Sequence, residues 1–185
     1  MILQQLTGAF YGFTSDYELR FVNLEKKFIV NNEEYLLRVY NPMDSINLLE
    51  FFNKCLPESG RSFEPDRAHT SLLDVEKSYE YFICLIEQES SQIIGTSALK
   101  RIDESKCELK CVYLYKKFHG LGLGTIMCKK IINIAKDRGY QEMYLDTISK
   151  TSGRAIKMYQ RLGFEMIEKY HETARSDVFM RLLLE

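Results

Sequence analysis

Three glycines fall at positions 120, 122 and 124, between an apolar run typical of a strand and an apolar run typical of a helix. Glycine loses much conformational entropy on folding, so such a group marks backbone that must bend or approach another group closely. A strand that leads into a helix through this spacing directs several free backbone N–H groups to one spot, where the helix dipole favours an anion. The segment "KKFHGLGLGT" therefore predicts either a phosphate-binding loop or a tight turn with close helix–strand packing.

Two common phosphate loops do not fit this segment. A P-loop requires Gly-Lys-Ser/Thr, whereas Gly124 is followed by Thr125 and Ile126. A dinucleotide fingerprint requires G-x-G-x-x-G early in a βαβ unit, but here the spacing is G-x-G-x-G, late in the chain and after strands of antiparallel type. A dinucleotide-dependent enzyme is therefore a poor alternative.

Hydrophobic periodicity predicts the elements around the loop. Strand-like runs lie at 34–40, 81–88, 93–102, 107–116, 142–148, 164–171 and 177–184, and helix-like runs at 44–56, 71–79, 123–139 and 151–163. A further β-rich run at 27–30 is joined to the first strand by Asn31-Asn32, a predicted hairpin turn. The apolar stripe of the first helix is predicted to pass through Ile46, Leu49 and Phe52, and that of the third through Leu123, Met127 and Ile131.

These elements predict an α/β fold: a mixed, mostly antiparallel twisted sheet with helices on both faces. The predicted order is β-α-α-β-β-β-α-β-α-β-β. A length of 185 residues suits one domain, which we assign to 34–185, with 1–33 as an N-terminal extension. For that extension we leave open an arm, a strand added to a neighbour, or part of a homodimer contact.

Composition excludes several functional classes. The chain has 25 Lys and Arg against 26 Asp and Glu, a net charge of −1, which argues against a nucleic-acid partner. No apolar run reaches the roughly 18 residues that span a bilayer, and no signal-peptide pattern opens the chain. The 5 cysteines are scattered within apolar segments, so we expect reduced, buried thiols, a cytoplasmic protein and no metal site.

Two separated segments resemble a known family. The stretch "ELKCVYLYKKFHGLGLGTIM" and the later "LDTISKTSGRAIKMYQRLGFE" resemble the acetyl-coenzyme A-binding core of the GNAT N-acetyltransferase superfamily. The second carries an A-x-x-x-Y-x-x-x-G-F pattern at Ala155, Tyr159, Gly163 and Phe164. The resemblance covers residues 81–184 and implies an N-acetyltransferase with acetyl-CoA as co-substrate.

The resemblance also implies which residues hold the cofactor. In the family the loop cradles the pyrophosphate, and the strand before it pairs with the pantetheine arm. The implied cofactor-binding residues are Val112, Tyr113, Leu114, His119, Gly120, Leu121, Gly122, Leu123, Gly124, Thr125, Ser152 and Tyr159. Two of them depart from the family pattern: His119 stands where Arg or Gln leads the loop, and Ser152 stands where Asn is frequent.

The implied catalytic residues are Tyr159 and Glu108. Tyr159 is expected to protonate the departing coenzyme A thiolate, and its alternative role is a core tyrosine. Glu108 is expected to accept the proton of the amine, and its alternative role is a solvent-facing ion pair with Lys110 across the sheet. Strand alternation places Glu108 and Lys110 on one face, opposite Leu109 and Cys111.

The sequence thus predicts acetyl transfer to a primary amine of a small molecule. Two alternatives stay open: a peptide or protein N-acetyltransferase, and a non-catalytic module that binds acyl-CoA.

Overall fold

A single eight-stranded sheet organises the computed structural model, which describes residues 25–173 and 175–185. The strands are β1 (Lys26–Val30), β2 (Glu33–Val39), β3 (Tyr81–Glu87), β4 (Gln92–Arg101), β5 (Lys106–Leu114), β6 (Glu142–Thr147), β7 (Glu165–Ile167) and β8 (Val178–Leu183). Their order in the sheet is β1-β2-β3-β4-β5-β6-β8-β7. Every neighbouring pair is antiparallel except β5 and β6.

Helices cover both faces of this sheet. They are α1 (Ser45–Glu58), α2 (Val75–Ser78), α3 (Leu123–Asp137) and α4 (Ser149–Arg161), with short 3-10 turns at Pro42–Asp44, Thr70–Leu72 and Lys116–Phe118. The element order contains the predicted one, preceded by β1, so the predicted fold class is confirmed. None of the described helices has both the length and the apolar character needed to cross a membrane.

The predicted hairpin is present at the edge of the sheet. Asn31 and Asn32 have φ values of 51° and 67°, the left-handed pair that two-residue hairpin turns favour. Within the predicted extension 1–33, residues 26–30 form β1, which pairs with β2. Residues 1–24 lie outside the described residues.

Two apolar clusters hold the helices against the sheet. The stripe predicted for α3 is buried throughout, and it packs with α4 on one face. On the other face α1 buries Leu48, Phe51 and Phe52, while Ile46 is 78% exposed, so the predicted stripe of α1 was wrong at that position. Residues three and four positions before Phe52, at 49 and 48, both lie on nearly the same side of the helix as Phe52. Periodicity alone therefore does not decide which of them belongs to the buried stripe.

A β-bulge interrupts β5 at Cys111. Ala98 of β4 faces Lys110 and Thr96 faces Tyr113, so β5 carries one extra residue between them. Cys111 takes a φ of 53°, and its carbonyl accepts a hydrogen bond of 2.7 Å from the Thr96 hydroxyl. The bulge breaks the alternation of faces. The prediction that Cys111 lies opposite Glu108 and Lys110 was therefore wrong: Cys111 packs into the α1–α2 face, with its Sγ 3.1 Å from the Tyr79 hydroxyl.

Candidate active site

β5 and β6 separate after a short parallel ladder. Their pairs join Lys106–Glu108 to Glu142–Tyr144, although β5 continues to Leu114 and β6 to Thr147. Beyond these pairs β5 stays paired with β4, and β6 with β8. The strands therefore leave a cleft in the middle of the described sheet. An open edge of this kind can pair with an extended, amide-bearing ligand as with an added strand.

A cavity of about 320 Å³ lies along this cleft. It is lined by the end of β5, the glycine loop, the start of α3, one side of α4, the end of α1 and the residues just after α1. Of the predicted cofactor-binding residues, those that line it are Val112, Tyr113, Leu114, His119, Gly120, Gly122, Leu123, Gly124, Thr125 and Ser152. Leu121 and Tyr159 do not line it; both belong to the neighbouring apolar cluster.

The glycine loop needs its glycines for two different reasons. Gly120 and Gly122 have φ values of 89° and 79°, in the left-handed region that L side chains rarely adopt. At Gly124 the reason is space, because a Cβ there would lie 3.3 Å from the Met158 sulfur of α4. Gly122 is the residue before the first turn of α3, whose N–H groups have no intrahelical acceptor. Free N–H groups at the start of a helix suit an anion, and these lie at the edge of the cavity.

His119 connects the loop to the end of β5. Its Nε2 lies 3.0 Å from the carbonyl oxygen of Leu114, and since a carbonyl oxygen only accepts, Nε2 donates this bond. The ring is exposed to solvent at the rim of the cavity. His119, which stands where the family has Arg or Gln, is thus held by a hydrogen bond to the end of β5.

Ser152 is buried at a break in α4. Its φ and ψ of −116° and 16° are not helical, and its hydroxyl lies 2.7 Å from the Thr147 hydroxyl of β6. Arg61, from the segment after α1, donates to Ser152 Oγ at 2.6 Å and to Thr151 Oγ1 at 3.1 Å. Arg61 also lies 3.4 Å from the Tyr113 hydroxyl. One guanidinium therefore joins α4, β5 and the α1–α2 segment across the cavity.

The lining of the cavity is cationic. Among the described residues, the basic side chains that line it are Arg61, Lys116, Arg154 and Arg161, against a single acid, Glu58. The carboxylate of Glu58 accepts a hydrogen bond of 2.7 Å from the backbone N–H of Lys116. An excess of positive charge beside free N–H groups suits a ligand with several phosphates.

Tyr159 is buried behind the cavity, 6% exposed, with its ring against Phe164. Burial raises the pKa of its hydroxyl well above the ordinary value; the charge of Asp146 adds to this and that of Arg61 opposes it. Within the described chain the hydroxyl makes no hydrogen bond. It is therefore a protonated phenol at neutral pH, without a fixed acceptor.

Glu108 lies outside this cavity, in a polar cluster on the α1–α2 face. Lys110 Nζ is 3.2 Å from Glu108 Oε1 and 2.7 Å from Asp146 Oδ1, and the Tyr170 hydroxyl donates to Glu108 Oε1 at 2.7 Å. The predicted neighbour Lys110 is thus paired with Glu108, but the pair is largely buried instead of facing solvent.

The pKa values of this cluster follow from its charges. Burial favours the neutral amine of Lys110, but the two carboxylates outweigh it and raise its pKa. Burial likewise opposes the charge of Asp146, but Lys110 and the Ser176 hydroxyl outweigh it, and the pKa of Asp146 is lowered. Lys110 therefore stays charged between two carboxylates.

Sequence reasoning missed four residues of the site. Arg61 comes from the α1–α2 segment, and Tyr170, His171 and Ser176 from the segment between β7 and β8. Neither segment carries a motif, and only the fold brings them to the cleft. The tether of Arg175 to Glu64, at 2.7 Å, could not have been found from sequence spacing either.

Comparisons with known proteins show the family to which the chain belongs. A model described as the acetyltransferase (GNAT) family matches residues 45–164. An uncharacterized N-acetyltransferase of Schizosaccharomyces pombe is 38% identical over 77 residues, 41% of this chain and 47% of that protein. Human N-acetyltransferase 8B is 30% identical over 104 residues, 52% of this chain and 45% of that protein. The matches thus span about half the length of these curated relatives.

Solved structures show the same fold. An acetyltransferase of the GNAT family from Staphylococcus aureus Mu50 superposes with a TM-score of 0.73 at 24% identity, covering 82% of this chain and 99% of that one. The YhbS acetyltransferase of Escherichia coli, in complex with CoA, gives a TM-score of 0.63 at 17% identity and covers 82% of each chain. Salmonella typhimurium yncA, solved with acetyl-CoA, gives 0.60 at 17% identity and covers 82% of this chain and 94% of that one. Because the family model matches residues 45–164 of 185 and the parted strands and glycine loop lie within that match, the chain belongs to the GNAT acetyltransferase family.

Proposed function

We propose that the protein is an acetyl-CoA-dependent N-acetyltransferase that acts on a primary amine of a small molecule. The observation that carries this proposal is the cleft between β5 and β6, which leads to free N–H groups at the start of α3. Relatives named N-acetyltransferases, and related structures solved with CoA or acetyl-CoA, support the choice of co-substrate.

In this proposal the co-substrate lies along the cavity. The pyrophosphate contacts the loop from His119 to Thr125, and the pantetheine amides pair with the open edge of Val112–Leu114. Ser152 supplies a hydroxyl beside the same path, already oriented by Arg61 and Thr147. The cationic lining accommodates the phosphate charges.

Acetyl transfer requires two proton movements. A lysine-type amine has a pKa of roughly 10.4 in water and must lose a proton before it attacks the thioester carbonyl. We assign this task to the polar cluster that contains Glu108. We assign protonation of the departing thiolate to Tyr159, which burial keeps protonated.

A small acceptor is favoured over a peptide by the tether between two loops. The α1–α2 segment reaches the cavity through Arg61, and the β7–β8 segment reaches the cluster through Tyr170. The ion pair between Glu64 and Arg175 joins the two segments. A peptide chain lying across the cleft on this face would have to displace that ion pair. A small amine would not.

The test is coenzyme A release measured over a panel of small amines, amino acids and peptides, together with acetyl-CoA binding by calorimetry. We expect micromolar or tighter binding and turnover on a small amine. Turnover on peptides alone would favour the protein N-acetyltransferase. Binding without turnover would favour the non-catalytic module, and absence of binding would overturn both readings.

A further inference from the structure

His171 lies in the segment between β7 and β8, with its ring held by aromatic neighbours. The ring centroid is 4.6 Å from that of Tyr170 and 5.8 Å from that of Phe179, both in edge-on geometry. The side chain is 36% exposed, so one edge reaches solvent. Packing therefore fixes the direction in which each ring nitrogen points.

The hydrogen bond of Nδ1 sets the tautomer. Nδ1 lies 3.2 Å from the backbone carbonyl oxygen of Glu172, which can only accept, so Nδ1 carries a hydrogen. In the neutral ring Nε2 is then the nitrogen with a free lone pair.

Nε2 is buried and has no hydrogen-bond partner among the described residues. Buried polar atoms without a partner are uncommon in folded proteins and call for an explanation. Nε2 lies 3.9 Å from Glu108 Oε1 and 3.9 Å from Asp146 Oδ1, beyond hydrogen-bond distance of either. A proton on Nε2 would therefore lie near two carboxylates that stabilise its charge. In the neutral ring, the Nε2 lone pair has no hydrogen-bond donor among the described residues.

The cluster lies where the strands part. Glu108 and Tyr144 form the last pair of the parallel ladder. Lys110 and Asp146, two residues further along each strand, are joined across the opening by their ion pair. The titratable groups that face Nε2 are Glu108 and Lys110 from β5, Asp146 from β6 and Tyr170 from its own segment. Lys110 and Tyr170 already occupy the carboxylate oxygens that Glu108 and Asp146 turn toward the ring.

We propose that His171 Nε2 is the proton acceptor for the amine, directly or through one water, and that Glu108 and Asp146 supply the counter-charge. This rests on the proposed function and refines the part that Glu108 plays in it. The N–H bond of the ammonium breaks and its proton moves to Nε2. The freed lone pair forms the C–N bond at the thioester carbon, the C–S bond breaks, and the thiolate takes the proton of Tyr159. The amide nitrogen then loses its second proton, which restores the phenol of Tyr159. The imidazolium returns to the neutral ring when Nε2 gives up this proton to solvent after the product leaves.

The test is the pH dependence of kcat/KM for an accepted amine in wild type, H171Q and E108Q. We expect H171Q to lower kcat/KM by about 100-fold or more, the usual scale for a general base, and to remove the acidic limb. We expect E108Q to retain measurable turnover with its acidic limb at lower pH, because the imidazolium loses one neighbouring negative charge. Acetyl-CoA affinity should change less than about threefold in both.

His69→Gln is the matched control. His69 lies in the α1–α2 segment, where its Nδ1 accepts a hydrogen bond of 3.0 Å from the backbone N–H of Glu64. We expect this variant to keep the acidic limb.

The proposal is overturned if H171Q keeps the limb and a rate within about threefold of wild type, or if E108Q abolishes the limb and the activity as a carboxylate base requires. Wild-type protein inactive on every amine would instead contradict the proposed function. Should H171Q not fold, the E108Q profile alone decides between the two bases.

Discussion

At the scale of single residues, Tyr159 shows how surroundings determine what a side chain can do. Its position in the motif identifies it, and its burial raises the pKa of its phenol still further above neutral pH. Its hydroxyl has no hydrogen-bond partner in the described chain, so removing it should cost the fold little. Removal of the Tyr159 hydroxyl therefore tests its role in the reaction without a large effect on the stability of the fold.

Tyr159→Phe is expected to lower kcat by about 100-fold, because general acids contribute on that scale, while acetyl-CoA affinity stays nearly unchanged. Steady-state kinetics and calorimetry measure the two effects. Tyr140→Phe is the control, since the Tyr140 hydroxyl donates to Glu80 and Tyr140 does not line the cavity. Equal kcat in the two variants would remove Tyr159 from the mechanism.

At the scale of elements, a glycine in the left-handed conformation stands at each end of α3. Gly122 precedes α3 and Gly139 follows it, with φ values of 79° and 80°, and a Cβ would meet nothing within 4 Å at either position. The same substitution therefore creates the same backbone strain at both ends of one helix. Only the first of these ends lines the cavity.

Gly122→Ala and Gly139→Ala are each expected to lower stability by about 1 kcal/mol, the scale of a left-handed L-residue. Gly122→Ala should also weaken acetyl-CoA binding, because relief of the strain moves the N–H groups of the loop. Thermal unfolding with and without acetyl-CoA measures both. If the two variants lose affinity equally, the loop is not the phosphate site.

The start of α1 depends on a partly buried ion pair. Arg38 donates to both carboxylate oxygens of Asp44, at 2.6 Å and 2.8 Å, and the backbone N–H of Asn41 donates at 2.9 Å. Burial opposes the charge of Asp44, but these bonds outweigh it and lower its pKa. A lowered folded-state pKa stabilises the fold above the unfolded pKa of about 3.9, and this contribution is lost as the pH falls through the folded value.

Asp44→Asn is therefore expected to lower the free energy of unfolding by about 2 kcal/mol at pH 7, the scale of hydrogen bonds to a charged group. The difference from wild type should shrink below about pH 4, where the unfolded wild-type chain binds the proton. Urea unfolding at both pH values measures it. Glu50→Gln, which removes an exposed pair with Lys54, should show neither effect. A difference independent of pH would contradict the account.

How much the sequence predicts depends on the range of the forces involved. The glycine loop, α3 and the Ala155–Phe164 motif were identified because their patterns are local. The face of Cys111 was wrong, because a bulge is set by pairing with β4 and not by alternation within β5. Arg61 and His171 were missed because their partners lie on other elements. Local patterns thus predicted most residues that line the cavity, while the residues that join the polar cluster from other elements required the fold.

At the scale of the whole molecule, one tether connects distant parts of the chain. Glu64 and Arg175 lie 111 positions apart, and both side chains are substantially exposed, at 36% and 53%. Exposed pairs contribute between about 0 and 1 kcal/mol, so this one is unimportant for stability. It does hold the α1–α2 segment to the segment between β7 and β8, which contributes Tyr170 and His171 to the polar cluster.

Glu64→Gln is expected to leave thermal stability nearly unchanged and to raise KM for the amine severalfold without changing acetyl-CoA affinity. The reason is that free segments must be ordered when the acceptor binds. Glu172→Gln is the control, because it removes an exposed pair with Lys169 inside one segment. An equal rise in KM in both variants would attribute the effect to charge and not to the tether.

The parting of β5 and β6 has a mechanical consequence. The eight strands behave as a panel of five and a panel of three, joined by the rungs from Lys106 to Glu108 and by the ion pair of Lys110 with Asp146. Force applied across this seam should separate the panels before either one unravels, because so few rungs share the load. A ligand that forms hydrogen bonds with both strand edges would add to the contacts that resist separation. In single-molecule pulling across the seam, a bound ligand would then raise the rupture force.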